Sequence, residues 1–94
     1  MQIEYSARFE NELFGIYIFI AEDSIDRADT FVGSLKKAIE NIPYMPYKHR
    51  QSTKSNDPQV RDMIFMGYVV VYRVNESKNR IEIIGIFNAN EWGL

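Results

Sequence analysis

VRDMIFMGYVVVYRVNESKNRIEIIGIF, residues 60–87, is the stretch whose reading decides the fold. It holds three short runs rich in β-branched and aromatic residues, at 60–66, 68–74 and 81–87. Gly67 breaks the first gap and the polar stretch 75–80 fills the second. Runs of this length and composition between turn signals predict a three-stranded antiparallel meander. One face of that sheet needs an apolar cover, and the other is left to meet water or a partner.

The cover is expected upstream. Residues 2–5 alternate polar and apolar side chains and read as a short strand. Ser6 is a candidate N-cap, because its hydroxyl can accept a hydrogen bond from an unpaired first-turn amide. Phe9, Leu13, Ile16 and Ile20 then recur at helical spacing. The run 16–20, Ile-Tyr-Ile-Phe-Ile, would also suit a buried strand, and Gly15 costs a helix about 1 kcal/mol relative to Ala. The period decides for helix, since a second helix in need of a partner follows at once. After the turn at Glu22, Asp23 and Ser24, residues Ile25, Ala28, Val32, Leu35, Ile39 and Ile42 form one stripe at three- and four-residue steps. Pro43 ends it, because proline cannot continue a helix. Two helices with so short a joint predict an antiparallel hairpin. Residues 43–58 form the one long irregular segment, with Pro43, Pro46 and Pro58, two tyrosines and four basic residues including His49. A connection longer than about 12 residues in a compact domain is functional or loosely ordered.

The fold class expected is therefore α+β, in the order β-α-α-β-β-β, as a single domain over residues 1–94. Ninety-four residues leave no room for a second domain. The 13 aromatic residues argue against disorder. With no cysteine, neither a disulfide framework nor a thiolate metal site is open to this chain. No cofactor and no metal are expected. The start lacks a basic segment followed by an apolar core, and the longest apolar run, 13–21, is too short for a bilayer. A cytoplasmic protein with no membrane contact is the expectation. The net charge of −2 hides an uneven distribution. Residues 1–35 carry two basic side chains against seven acidic ones, whereas residues 36–61 carry six against two. Such a segment suits an anionic or acidic partner, although a pair of ordinary solvated surfaces gives the same count.

Several stretches carry a resemblance to a known family. The helix joint at 22–28 (EDSIDRA), the helix exit IENIPYMP at 39–46, the core VRDM at 60–63 with GYVVVYRV at 67–74, and the last strand IEIIGIF at 81–87 together resemble the RelE/ParE superfamily, also called the plasmid stabilisation protein family. Its members are toxins of type II toxin–antitoxin systems. The resemblance implies the RelE/ParE-like fold, a cognate antitoxin as partner, and inhibition of translation by ribosome-associated mRNA cleavage. The alternatives it implies are a non-nuclease toxin that poisons DNA gyrase, as ParE-like members do, and a module that only binds its antitoxin. Many members place a His or Gly and then an Arg after the final strand; this chain has Asn88, Ala89 and Asn90 there, so the late Arg is absent.

Metal-free RNA cleavage needs a group to take the 2′-hydroxyl proton, a cation on the crowded phosphate and a proton for the leaving oxygen. The catalytic candidates are Arg61 as a bidentate phosphate clamp, His49 as the only imidazole, and Asn90. An amide such as Asn90 orients a substrate but is a poor proton carrier near neutral pH. Lys48, Arg50 and Lys54 are candidate contacts to an anionic target, with Tyr68 and Trp92 as stacking surfaces and Asn88 beside Asn90 if the strand runs on past Phe87. Plainer readings stand beside each: His49 as a surface residue, Tyr68 as sheet packing, and Arg61 paired with a helix carboxylate such as Glu10 or Asp29.

Overall fold

The structure is a computed structural model that describes residues 1–92, with side chains described through Asn90. The chain runs β1 (Gln2–Tyr5), α1 (Ala7–Ala21), α2 (Ile25–Glu40), a 3-10 turn (Ile42–Tyr44), β2 (Arg50–Gln51), β3 (Val60–Phe65), β4 (Tyr68–Asn75), β5 (Arg80–Asn88) and a second 3-10 turn (Ala89–Trp92). One five-stranded sheet has the order β1-β5-β4-β3-β2. β1 lies parallel to β5 and the other neighbours are antiparallel. The two helices cover one face.

Both helices begin where the sequence places a cap. Ser6 Oγ accepts from the Phe9 amide at 3.0 Å and donates to the Ile84 carbonyl at 2.8 Å, so it starts α1 and ties that start to β5. Ser24 Oγ accepts from the Arg27 amide at 3.1 Å. Gly15 sits inside α1, which continues to Ala21. The run 16–20 is therefore helical, because Ile16 and Ile20 reach the core on the same face as Phe9 and Leu13. The stripe on α2 is rotated from the expected one. Phe31 is buried with Ala28, Leu35 and Ile39, whereas Ile25 is 63% exposed. Phe31 wins its place by meeting the rings of Phe65 and Tyr68 edge-on, at centroid distances of 5.7 and 5.3 Å.

The meander forms as expected, with boundaries shifted by at most one residue. Met66 and Gly67 make a two-residue hairpin with φ of 48° and 86° between the paired Phe65 and Tyr68. Positive φ at both central positions matches the right-handed strand twist, and glycine takes the second at no steric cost. Between β4 and β5 the register slips: Val71 faces Gly85 and Tyr72 faces Ile83, which leaves Ile84 unmatched. The bulge resets the alternation of β5, so Ile81 and Ile83 before it and Ile86 after it all reach the helical side. There they join Met63, Val70, Tyr72 and Val74 against Phe9, Phe31, Leu35, Ile39 and Ile42.

The segment 43–58 contains structure that the sequence did not announce. Pro43 lies within the 3-10 turn that follows α2. β2, only two residues long, pairs Arg50 with Asp62 and Gln51 with Arg61. The strand β5 stops at Asn88 and the chain turns into 3-10 conformation. Asn88 and Asn90 thus do not share a strand face; the Asn90 amide donates to Asn88 Oδ1 at 2.9 Å instead.

Candidate functional site

Two places bring together residues with chemistry. The first is the helical side of the sheet where residues 46–58 fold over β3 and β4. Arg61, opposite Tyr72, points to that side. Its Nε donates to the Pro58 carbonyl at 2.9 Å and its Nη1 to the His49 carbonyl at 3.1 Å and the Tyr47 carbonyl at 3.5 Å. The guanidinium also lies 4.9 Å from the Tyr47 ring centroid, a cation–π distance. Tyr72 Oη donates to the Pro46 carbonyl at 2.7 Å, and Tyr47 Oη donates to Glu76 at 3.0 Å. Arg61 does not pair with a helix carboxylate; Asp29 is engaged by Tyr17 Oη at 2.7 Å.

Burial beside the Arg61 guanidinium favours the neutral forms of Tyr72 and His49. Burial pushes the Tyr72 hydroxyl up to about 12, so it remains a donor at any ordinary pH. The His49 ring stands edge-on to Tyr72 at 6.1 Å and 88°. Burial, and after it the neighbouring Lys48 ammonium, holds the His49 imidazole below its usual value. Both causes favour the neutral ring.

The second place is the open face of the sheet, a concavity of about 730 Å³. Its floor is Val60, Val71, Ile84, Gly85 and Phe87, and Arg8, Glu12, Ser52 and Lys54 stand around it. Gly85 is there because of a close approach. A Cβ on it would come 2.7 Å from Glu12 Oε1, the oxygen that accepts from the Ile86 amide at 3.1 Å. Beside the concavity the Asp62 side chain is fully buried, with Oδ2 3.5 Å from Arg50 and Oδ1 without a hydrogen-bond partner among the described residues. The remaining cations of this face are matched by carboxylates: Arg73 by Asp57 at 3.4 Å, and Arg80 by Glu4 at 3.0 Å and Glu82 at 2.7 Å. Hydrogen bonds from Arg80 and Asn75 hold the Glu82 carboxyl below its usual range.

The sequence-derived candidates are thus distributed rather than gathered. Arg61 and His49 meet through a backbone carbonyl on the helical side. Lys48 lines a groove with His49 at the β3 edge. Arg50 stands on the open face opposite Asp62, and Lys54 lines the concavity there. Tyr68 packs edge-on against Phe31. Asn88 pairs with Tyr68 at the far end of β4 from Arg61 and Tyr72. Four residues along a strand separate those ends by roughly 13 Å. The stacking role expected of Trp92 falls on a side chain outside the described ones. Arg8, Glu12, Asp62 and Gly85 were not singled out in the sequence; a glycine inside a strand run is the one signal that marks a close approach.

A family model, ParE toxin of type II toxin–antitoxin system, parDE, matches residues 3–91. Among solved structures the chain is similar to one from the chromosomal ParDE toxin–antitoxin system of P. aeruginosa, at 16% identity over 94% of this chain and 95% of that one, with a TM-score of 0.74. It is also similar to the conserved hypothetical protein HP0892 from Helicobacter pylori, at 18% identity over 98% of both chains, with a TM-score of 0.53. At these identities the two structures speak for the fold, which is the RelE/ParE-like arrangement expected. No curated protein matches the chain. The match spans nearly every described residue, and the chain belongs to the ParE toxin family of type II toxin–antitoxin systems.

Proposed function

We propose that this chain acts as a toxin by binding and poisoning a protein target of the DNA gyrase type, without cutting RNA, and that a cognate antitoxin neutralises it. The observation that carries this reading is the separation of the groups RNA cleavage would need. A proton acceptor, a phosphate cation and a proton donor must all lie within hydrogen-bond reach of one ribose-phosphate. Arg61 spends its Nε and Nη1 on carbonyls of its own loop, and Asn88 and Asn90 belong to the opposite end of the sheet. The His49 ring stands edge-on to Tyr72, with 6.1 Å between centroids. Arg61 and His49 are then positioning residues of the loop, and Lys48, Arg50 and Lys54 are target contacts. The match to the ParE branch supports the same choice. The test is purified protein given to gyrase with relaxed plasmid and, in parallel, to translating ribosomes read by primer extension. Blocked supercoiling with no new mRNA ends supports the reading; codon-positioned cuts with unaffected supercoiling overturn it.

A further inference from the structure

The helix α1 is apolar on its outer side as well as on the side that meets the sheet. Phe14 is 66% exposed, Ile18 45% and Phe19 72%. A helix that is apolar all round is normally covered all round, and this one is open along its outer face. Gly15 lies in the middle of that face. A glycine inside a helix is destabilising, and a Cβ here would meet nothing within 4 Å, so no close approach within the chain calls for it. At about 100° per residue, Arg8, Asn11, Ile18, Phe19 and Glu22 fall on the same side of α1 as Gly15. Arg8 and Glu22 stand seven residues to either side of that glycine, about two helical turns. The Arg8 side chain is 65% exposed, with its Nε 3.4 Å from Glu12. Glu22 is exposed and makes no ion pair among the described residues. A cation in the first turn and a carboxylate at the C-cap each meet the unfavourable end of their own helix dipole.

We infer that this face pairs with its equivalent on a second copy of the chain, the two α1 helices running antiparallel and crossing at Gly15. A two-fold axis there sets Arg8 of each copy opposite Glu22 of the other. An ion pair then closes each end of the contact, and every one of the four charges meets the end of the neighbouring helix dipole that favours it. Between those pairs, Ile18 and Phe19 of each copy cover Gly15 and Asn11 of the other, and the absent side chain at Gly15 lets the two backbones come close. The occupant follows from the stripe being its own complement. Opposite charges at equal distances from the central glycine are what a two-fold contact needs, and what an unrelated helix does not. One pair of helices makes a small interface, so the dimer is reversible. The pairing is independent of the proposed mode of toxicity.

The test is sedimentation equilibrium of the purified full chain over about a hundredfold range of concentration. The proposal expects a monomer–dimer equilibrium, with amide signals of residues 11–22 broadening as the dimer forms. Gly15→Gln puts a good helix former into open space, so the monomer should fold at least as stably. Its dimer dissociation constant should rise about tenfold or more. Glu22→Arg should weaken the dimer about fivefold or more, and adding Arg8→Glu should recover most of that loss. Such a recovery does not follow from damage to the fold. A chain that is monomeric throughout, or a dimer that Gly15→Gln leaves unchanged, overturns the proposal. So do α1 shifts that appear only when the antitoxin is added, which assign the face to that protein.

Discussion

At the scale of single residues, the contact between Glu12 and β5 makes a sharp prediction. Gly85→Ala drives a methyl to within 2.7 Å of Glu12 Oε1 and forces that carboxylate off the Ile86 amide. A loss of about 1–3 kcal/mol is expected in urea unfolding, from the amide left unsatisfied when the Glu12 carboxylate swings away. Glu12→Ala should also destabilise, and the double variant should lose less than the two singles added, because the clash and the hydrogen bond share one carboxylate. His49 sets a pH dependence. Its folded-state pKa lies below the ordinary 6.5, so the unfolded chain takes up the proton first as pH falls. Its contribution is complete above 6.5 and is lost as the solution is acidified from there through the folded value. The urea midpoint should therefore drop between pH 7 and 5, and His49→Gln should flatten that part of the profile. Asp62 behaves differently. Its buried carboxylate has a weak 3.5 Å partner in Arg50 and one oxygen without a hydrogen-bond partner among the described residues. Asp62→Asn should cost about 1–3 kcal/mol in urea unfolding, because it removes one partner of the Arg50 contact and buries amide hydrogens that have no acceptor.

At the scale of elements, Arg61 is the fastener of the long segment. Three carbonyls and the Tyr47 ring converge on one guanidinium. Arg61→Met should cost about 1–3 kcal/mol and raise amide exchange across residues 46–58 while leaving the helices and β4–β5 protected. Exchange that rises uniformly over the whole chain would contradict the clamp. This is also where the sequence stops being legible. The meander could be read because its strands are β-branched runs between turn residues, and the helices because Ser6 and Ser24 cap apolar periods. The rotated stripe on α2 could not, because Phe31 is placed by rings that arrive from β3 and β4, more than thirty residues away. The bulge at Ile84 has the same origin: only the register with β4 exposes it. Nor does local sequence say that Arg61 would bond carbonyls of residues 47 and 49, or that Gln51 and Arg50 would pair with β3. The candidate site suffered most, since a list of basic and amide residues carries no information on which end of the sheet each reaches.

At the scale of the whole molecule, the sheet separates two working surfaces. On one, the helices and the clamped segment enclose Tyr72, His49 and the Arg61 guanidinium; on the other, Arg8, Glu12, Ser52 and Lys54 stand around a shallow concavity floored by Gly85 and its neighbours. The proposed function rests on Asn88 standing roughly 13 Å along β4 from Arg61 and Tyr72, too far for one RNA-cutting centre to use them all. A gyrase-type poison and an antitoxin both need a wide face to bind, and the proposed function calls for one here. The most direct measurement is a side-by-side assay of the purified chain on gyrase-driven supercoiling and on mRNA in translating ribosomes. The account predicts that supercoiling stops and that no new 5′ ends appear on the message. Ribosome-dependent cleavage that vanishes on His49→Gln, with supercoiling untouched, would contradict it.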